Sequence, residues 1–261
     1  MQALGCDIMK IDVLFSGFPG KSDRGFLGWS SCVLIRTDAG EPILFDTAGF
    51  NERAVLLQKL HKLGISPEDI RKIYLSHYHF DHAVNAGLFP NAEIFLHEEE
   101  VRHVRRCQNN EATDLAVPCE MFYGIDRSGK LRILKGKQGK SDSIEWKLTP
   151  GHTPGLYSLI LECGGRKWVL ASDSVKNRTE LITGRVATSL DPAKSHASIE
   201  WIRSFADVVV PGHDRILYIN RTEGDQLQIK KESDPEVNII TPEKTTVTIK
   251  TIEVGRTCQK T

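Results

Sequence analysis

Between Tyr74 and His82 the chain reads Tyr-Leu-Ser-His-Tyr-His-Phe-Asp-His, a strand-forming run that ends in four metal-ligating side chains within six positions. In extended backbone, residues i and i+2 point the same way, so His77 and His79 can chelate one ion. Asp81 and His82 follow where the chain leaves the strand, and can face a second ion beside the first. Three further candidates each stand at the end of a predicted strand. They are His152 in Thr149-Pro150-Gly151-His152-Thr153-Pro154-Gly155, Asp173 in Ala171-Ser172-Asp173-Ser174, and His213 in Pro211-Gly212-His213-Asp214. A lone His at any of these places reads as a hydrogen-bonded loop residue. Four ligand types in six positions, joined by three more at strand ends, read as a metal centre.

The elements around these residues alternate between strand and helix. Lys10–Phe18 has the alternation of a half-buried strand, and Ser31–Arg36 and Ile43–Asp46 form a second pair across the turn Asp38-Ala39-Gly40. Asn51 is a candidate cap for a helix whose Ala54, Leu57, Leu60 and Leu63 share a face, with Gly64 as its stop. Ser66-Pro67 opens a helical turn, Ile70–Ser76 returns to strand, and a helix is expected from about Asp81. The pattern weakens from Val101 to Lys140. Strands resume at Ser143–Leu148, Tyr157–Cys163 and Lys167–Ala171. Asp191-Pro192 starts a helix with Ile199, Ile202 and Phe205 on its apolar face, and Asp207–Val210 is a buried strand. Strands followed by helices occur twice, which predicts two related halves building one layered α/β domain over residues 1–220. Residues 221–261 form a C-terminal extension, expected to contain a strand at Thr245–Val254 and to pack on the same domain. That strand could also pair with a second subunit, giving a homodimer.

Composition narrows the partners. Among 261 residues, 34 are Lys or Arg and 34 are Asp or Glu, so the formal charge is zero. Binding of nucleic acid through bulk positive charge is thereby excluded, although the basic clusters at Arg102–Arg106 and Lys135–Lys140 leave room for a local patch. Apolar runs fall far short of the ~20 residues that cross a bilayer, and no basic-then-apolar leader opens the chain. The six cysteines are scattered with no C-x-x-C pair and read as free thiols in a reducing cytoplasm. A Cys107–Cys119 clip is the alternative.

The ligand run has a family likeness. The chain resembles the metallo-β-lactamase superfamily of dinuclear hydrolases from about Lys10 to Asp214. The family motif H-x-H-x-D-H matches His77, His79, Asp81 and His82, and its later His, Asp and His match His152, Asp173 and His213. Asp46, in Phe45-Asp46-Thr47-Ala48-Gly49, matches an early D-T-G turn that supports the site from outside the ligand set. The resemblance implies an αββα sandwich with two divalent ions at one edge. His77, His79 and His152 would hold the first, Asp81, His82 and His213 the second, with Asp173 bridging. Mixed imidazole and carboxylate ligands suit Zn²⁺ best, and Fe or Mn are compatible because affinity alone does not choose a metal in cells. Two adjacent cations would lower the pKa of a bound water, give a hydroxide nucleophile and polarise the oxygen under attack. Asp81 would orient that nucleophile and pass a proton to the leaving group.

Several branches share the motif. Class B β-lactamases commonly differ at the positions of His82 and Asp173, and the RNA-processing branch usually has Gly where this chain has Phe80. Glyoxalase II-like thioesterases share Thr149–Gly155 but add a helical C-terminal part. The N-acyl-homoserine lactonase-like branch is similar in His79-Phe80-Asp81-His82-Ala83, in the stretch around Leu88-Phe89-Pro90-Asn91, in Ala171-Ser172-Asp173 and in Gly212-His213-Asp214. Its Tyr three residues after the bridging Asp is Lys176 here, which could donate to a developing oxyanion, bind an anionic substrate or face solvent. The expectation is therefore a hydrolase for a small lactone, ester or thioester, with a metallo-phosphodiesterase or nuclease, a glyoxalase II-like thioesterase and a metal-stabilised binding protein as alternatives. Phe26 and Trp29, in the Gly-rich loop from Phe18 to Trp29, and Phe80 are candidates to contact an apolar acyl group, and Cys107–Tyr123 is a candidate lid. His61, His97, His103 and His196 fall in predicted helices without ligand spacing.

Overall fold

A computed structural model of the chain describes residues 9–221, apart from 24, 38, 142 and 143, and the segments 227–231, 237–240 and 246–249. The first half contains β1 (Lys10–Phe15), β2 (Lys21–Ser22), β3 (Gly25–Phe26), β4 (Cys32–Arg36), β5 (Pro42–Phe45) and α1 (Arg53–Lys62). It continues through β6 (Lys72–Tyr74), α2 (Phe80–Ala83), β7 (Glu93–His97), α3 (Glu98–Gln108), α4 (Cys119–Arg127) and β8 (Leu131–Leu134). The second half contains β9 (Gln138–Ser141), β10 (Ile144–Leu148), β11 (Tyr157–Cys163), β12 (Arg166–Ser172), α5 (Arg178–Thr183) and α6 (Pro192–Phe205). It closes with β13 (Val208–Pro211), β14 (Leu217–Arg221) and β15 (Leu227–Lys231). Strands β16 (Val237–Ile240) and β17 (Thr246–Ile249) form a separate antiparallel hairpin, and the chain divides into two compact units after Lys231.

Two sheets carry the first unit. One is ordered β1-β4-β5-β6-β7-β8 and runs parallel from β5 to β8. The other is ordered β15-β14-β13-β12-β11-β10-β9, with its one parallel pair at β12 and β13. The central strands are apolar on both faces because both faces are covered. In β4, Val33 and Ile35 face the second sheet, where they join Phe45, Tyr74, Trp146, Tyr157, Leu159 and Leu170 in one cluster. Leu34 between them turns the other way, into a cluster with Leu44, Leu56, Leu60, Val101, Val104 and Phe122 that packs α1, α3 and α4 on the first sheet. A third cluster, built from Val169, Ala171, Leu181, Ile199, Ile202 and Val209, packs α5 and α6 on the second sheet. Three apolar layers between four tiers of secondary structure make the αββα sandwich that the resemblance implied.

Local expectations differ from the structure at a few points. The first strand stops at Phe15, and Phe18 pairs only through an isolated bridge to Trp29. Helix α1 buries Leu56 and Leu60 and leaves Ala54 exposed and Leu63 39% exposed, so its buried face is rotated from the expected Ala54–Leu57–Leu60–Leu63 stripe. The adjacent pair Leu56-Leu57 permits either phase, and packing on the sheet decides. The turn ahead of α1 is secured by Glu52, whose Oε2 accepts the Gly49 N–H at 3.1 Å, and not by Asn51. His97 ends β7, where its Nδ1 accepts the Glu99 N–H and caps α3; it is not inside a helix. Cys32, Cys107, Cys119 and Cys163 are all free, so the Cys107–Cys119 clip is absent. Of the tail strand expected at Thr245–Val254, Thr246–Ile249 is strand and the remainder lies outside the described residues. No helix among the described residues is long and apolar enough to cross a membrane.

Candidate metal centre

The ligand-bearing segments leave the strands at one end of the sandwich. After β5, Asp46 and Ala48 take left-handed backbone (φ 58° and 57°), as does Ser172 at the end of β12 (φ 46°). Non-glycine residues carry a conformational cost there, which the surrounding hydrogen bonds must hold in place. Asp46 is the centre of that network. Its Oδ1 accepts the Ser76 N–H at 2.8 Å, and its Oδ2 lies within 2.9 Å of Ser76 Oγ, Ser172 Oγ and His82 Nδ1. Asn85 fixes the rest of the turn, donating through Nδ2 to the carbonyls of Thr47, Ala48 and Gly49.

These bonds set which imidazole nitrogen each histidine offers. His82 donates from Nδ1 to the Asp46 carboxylate, so Nε2 keeps its lone pair. His213 donates from Nδ1 to the Trp29 carbonyl at 3.0 Å, again leaving Nε2. His79 donates from Nε2 to Asp114 Oδ2 at 3.0 Å and offers Nδ1. His77 Nδ1 lies 2.9 Å from Ser76 Oγ. Because the Ser76 hydroxyl proton goes to Asp46, His77 donates there and keeps Nε2 free. Anchoring one ring nitrogen so that the other is aimed is how metal-binding histidines are held.

The aimed atoms converge. Single ligand atoms of His77, His79 and His152 lie within 4.8 Å of one another, as do those of His77, His82 and Asp173, and those of Asp81, His82 and His213. All seven sequence candidates are brought together in these three overlapping groups. His77 Nε2, His82 Nε2 and Asp173 Oδ1 are buried without a hydrogen-bond partner, which is costly unless something else satisfies them. Divalent cations fit: the orphaned atoms are imidazole lone pairs and a carboxylate oxygen, the donor types that bind Zn²⁺ and its neighbours. The protonation balance agrees. Burial and the neighbouring imidazoles push His77 well below the ordinary histidine range, and burial does the same to His152. Burial alone would also lower His82 and His213, but Asp173, Asp81 and, at His82, Asp46 outweigh it and raise both. Burial would raise Asp173, yet His213, His82 and His152 hold it well below the usual carboxylate range.

Over this cluster opens a cavity of about 450 Å³ whose walls include Phe26, Phe80, Lys176 and Leu190 beside His79, His152, Asp173 and His213. The Phe26 ring stands edge-on to His213, with centroids 5.7 Å apart. Lys176 is tied down: its N–H donates to Glu180 Oε2, its carbonyl accepts the His213 N–H, and its Nζ donates to the Thr188 carbonyl. Trp29 meets the site through its carbonyl. Its indole stands against Phe18, centroids 4.9 Å apart, donates to the Ser16 carbonyl and is not part of the cavity wall.

Two acidic residues escaped the sequence reading. Glu100 is fully buried in α3, accepting from Tyr78 N–H, Thr153 Oγ1–H and Gly155 N–H, and so joins the two histidine-bearing loops. Asp114 sits in the polar stretch between α3 and α4. Burial would raise its carboxyl, but donation from His103 and His79 holds it well below the usual range. Neither residue has ligand spacing, and the one available signal was the excess of acidic residues at the start of α3, which any helix N-terminus shows. Val117 and Phe122, within the candidate lid, are buried in the core.

Comparisons with known proteins agree with this geometry. Residues 27–218 match the model of the metallo-beta-lactamase superfamily. The chain is 33% identical over 208 residues to mouse metallo-beta-lactamase domain-containing protein 1, covering 77% of this chain and 71% of that protein, and it spans 65% of the human one. It is 26% identical over 212 residues to the N-acyl homoserine lactonase of Bacillus thuringiensis, covering 70% of this chain and 80% of the lactonase. Its fold superposes with a TM-score of 0.62 on AidC, a dizinc quorum-quenching lactonase solved with its product, at 21% identity over 81% of this chain and 82% of that one. With imidazoles and carboxylates clustered at the edge of an αββα sandwich and a family match across most of its length, the chain belongs to the metallo-beta-lactamase superfamily and is a metal-dependent hydrolase.

Proposed function

We propose that the chain is a dinuclear hydrolase that cleaves a small lactone, ester or thioester. The observation that carries this reading is the three overlapping ligand groups, which share His77 and His82, at the base of a cavity with apolar walls. Zinc is the favoured metal, from the donor set and from the dizinc character of AidC. When bound, two such ions would activate a water molecule and polarise the carbonyl under attack. His77, His79 and His152 would hold one ion, Asp81, His82 and His213 the other, with Asp173 between them.

The chain's own residues supply the remainder. Asp81 lines the cavity with Oδ2 3.4 Å from His213 Nε2, and would take the proton of the attacking water and return it to the leaving group. Phe26, Phe80 and Leu190 would exclude water and receive the apolar part of a substrate. Lys176, held at the rim of the same cavity, would meet its polar end. The cavity volume suits a small molecule. Free thiols at Cys32, Cys107, Cys119 and Cys163 support a reducing, cytoplasmic setting.

Metal-loaded protein assayed against lactones, thioesters, phosphodiesters and a β-lactam tests the proposal, with Asp173→Ala in parallel. Turnover of a carbonyl substrate that the variant loses is the expected result. Turnover of a phosphodiester with no carbonyl substrate cleaved would overturn it.

A further inference from the structure

The stretch between α3 and α4 reaches the metal centre at two adjacent points. Asp114 Oδ2 stands 3.0 Å from His79 Nε2 and 3.0 Å from His103 Nε2, so one carboxylate oxygen takes a proton from each ring. Two residues on, the Ala116 carbonyl accepts the Phe80 N–H at 2.9 Å, and Asp114 Oδ1 accepts the Ala116 N–H at 3.2 Å. The Asp114 side chain is 10% exposed, while Leu115, between the two anchored residues, is 96% exposed. Among the described residues, Asp114 belongs to none of the three ligand groups. Its bonds go to the outer edge of His79, the edge turned away from the cluster.

We propose that Asp114 is a positioning residue for the metal centre, fixing the tautomer and ring angle of His79, and that residues 109–118 are thereby coupled to metal binding. The inference rests on the metal-centre reading. A free imidazole can present either nitrogen; with Nε2–H committed to Asp114, only Nδ1 faces the ligand group. His103 holds the carboxylate from the far side, on the rigid frame of α3. Coupling is reciprocal. If seating Asp114 strengthens ion binding by some factor, ion binding strengthens the seating of 109–118 by the same factor. Outer partners of this kind typically change metal affinity by about 10- to 100-fold.

The test uses the full chain, zinc as the probe, and the variants Asp114→Ala, Asp114→Asn and His103→Gln. Zinc affinity is measured by chelator competition, melting temperature with and without zinc, and protease cleavage within 109–118 with and without zinc. The expected result is a 10- to 100-fold weaker site in Asp114→Ala and a smaller loss in Asp114→Asn, which keeps an acceptor oxygen and the side-chain volume. Zinc should slow cleavage of 109–118 at least tenfold in the parent and by less in the alanine variant. His103→Gln should fall between parent and Asp114→Ala. Affinities within twofold of the parent in the Asp114 variants, with melting temperatures lowered equally in loaded and stripped protein, would make Asp114 merely structural and overturn the inference. A parent that binds no zinc overturns the metal-centre reading itself, a separate outcome read on the unmutated chain.

Discussion

The carboxylate of Glu100 lies 2.7 Å from the hydroxyl of Thr153, a contact between residues 53 positions apart that ties the His152 loop to helix α3. The same carboxylate accepts the Tyr78 N–H from the loop between His77 and His79. One buried side chain therefore sets the spacing between two ligand-bearing loops. Replacing it by Ala leaves two N–H groups and a hydroxyl without an acceptor, at about 1–3 kcal/mol for each buried group. Glu100→Ala should lower stability by at least about 3 kcal/mol on that basis, with Glu100→Gln between it and the parent. Urea unfolding midpoints check this, and equal midpoints for all three proteins would refute it.

Gly212 has no room for a side chain. A Cβ there would sit 1.9 Å from Asp173 Oδ1 and 2.9 Å from the Ser172 carbonyl carbon. Gly212→Ala should displace the Asp173 carboxylate and reduce bound metal per chain, with secondary structure retained. Elemental analysis after exhaustive dialysis, alongside circular dichroism, reads both halves of the expectation. Full metal content in the variant would show that Asp173 is not held by this contact.

Asp46→Asn changes almost nothing in volume but alters what His82 Nδ1 meets. Asp46 Oδ2 also serves Ser76 and Ser172, so an amide nitrogen at that position would face hydroxyls and an imidazole N–H that all need an acceptor. A lost outer partner of this type should lower metal affinity or hydrolytic rate about 10- to 100-fold. Kinetics at saturating metal separate the two, and a variant with parental rate and affinity would contradict the network described.

Burial pushes the Cys32 thiol far above its ordinary range. Only the thiolate reacts with alkylating reagents, so raising the pKa lowers the reactive fraction at every pH below it. Cys32 should stay unmodified from pH 7 to 9 in folded protein, while the partly exposed Cys119 and Cys163 are labelled before it. Mass spectrometry after timed alkylation reads the order. Early labelling of Cys32 in folded protein would count against its burial.

The legible part of the site is the part that depends on residue type at short range. His77, His79, Asp81 and His82 declare themselves because chelation at one strand end needs those side chains side by side. His152, Asp173 and His213 follow because each sits where a strand stops. Asp114 and Glu100 act at separations of 35 and 53 positions, through bonds that any acidic residue in a loop or helix could make, so nothing local distinguishes them. The phase of α1 was hidden for a related reason. Leu56, Leu57 and Leu60 satisfy two helical stripes, and only docking on the first sheet selects one. Trp29 shows the converse: an aromatic in a glycine-rich loop suggested a ring in the cavity, whereas the loop bends so that the carbonyl faces His213 and the indole covers Phe18.

Each ligand group draws on both sheets. His77, His79, Asp81 and His82 follow β6 of the first, and His152, Asp173 and His213 follow β10, β12 and β13 of the second. Neither sheet owns a complete group, so a bound ion would have its full ligand set only where the two layers meet, and would rivet them together. Metal scarcity would then show itself as haste in unfolding, with the seam between the sheets parting sooner while each layer keeps its strands.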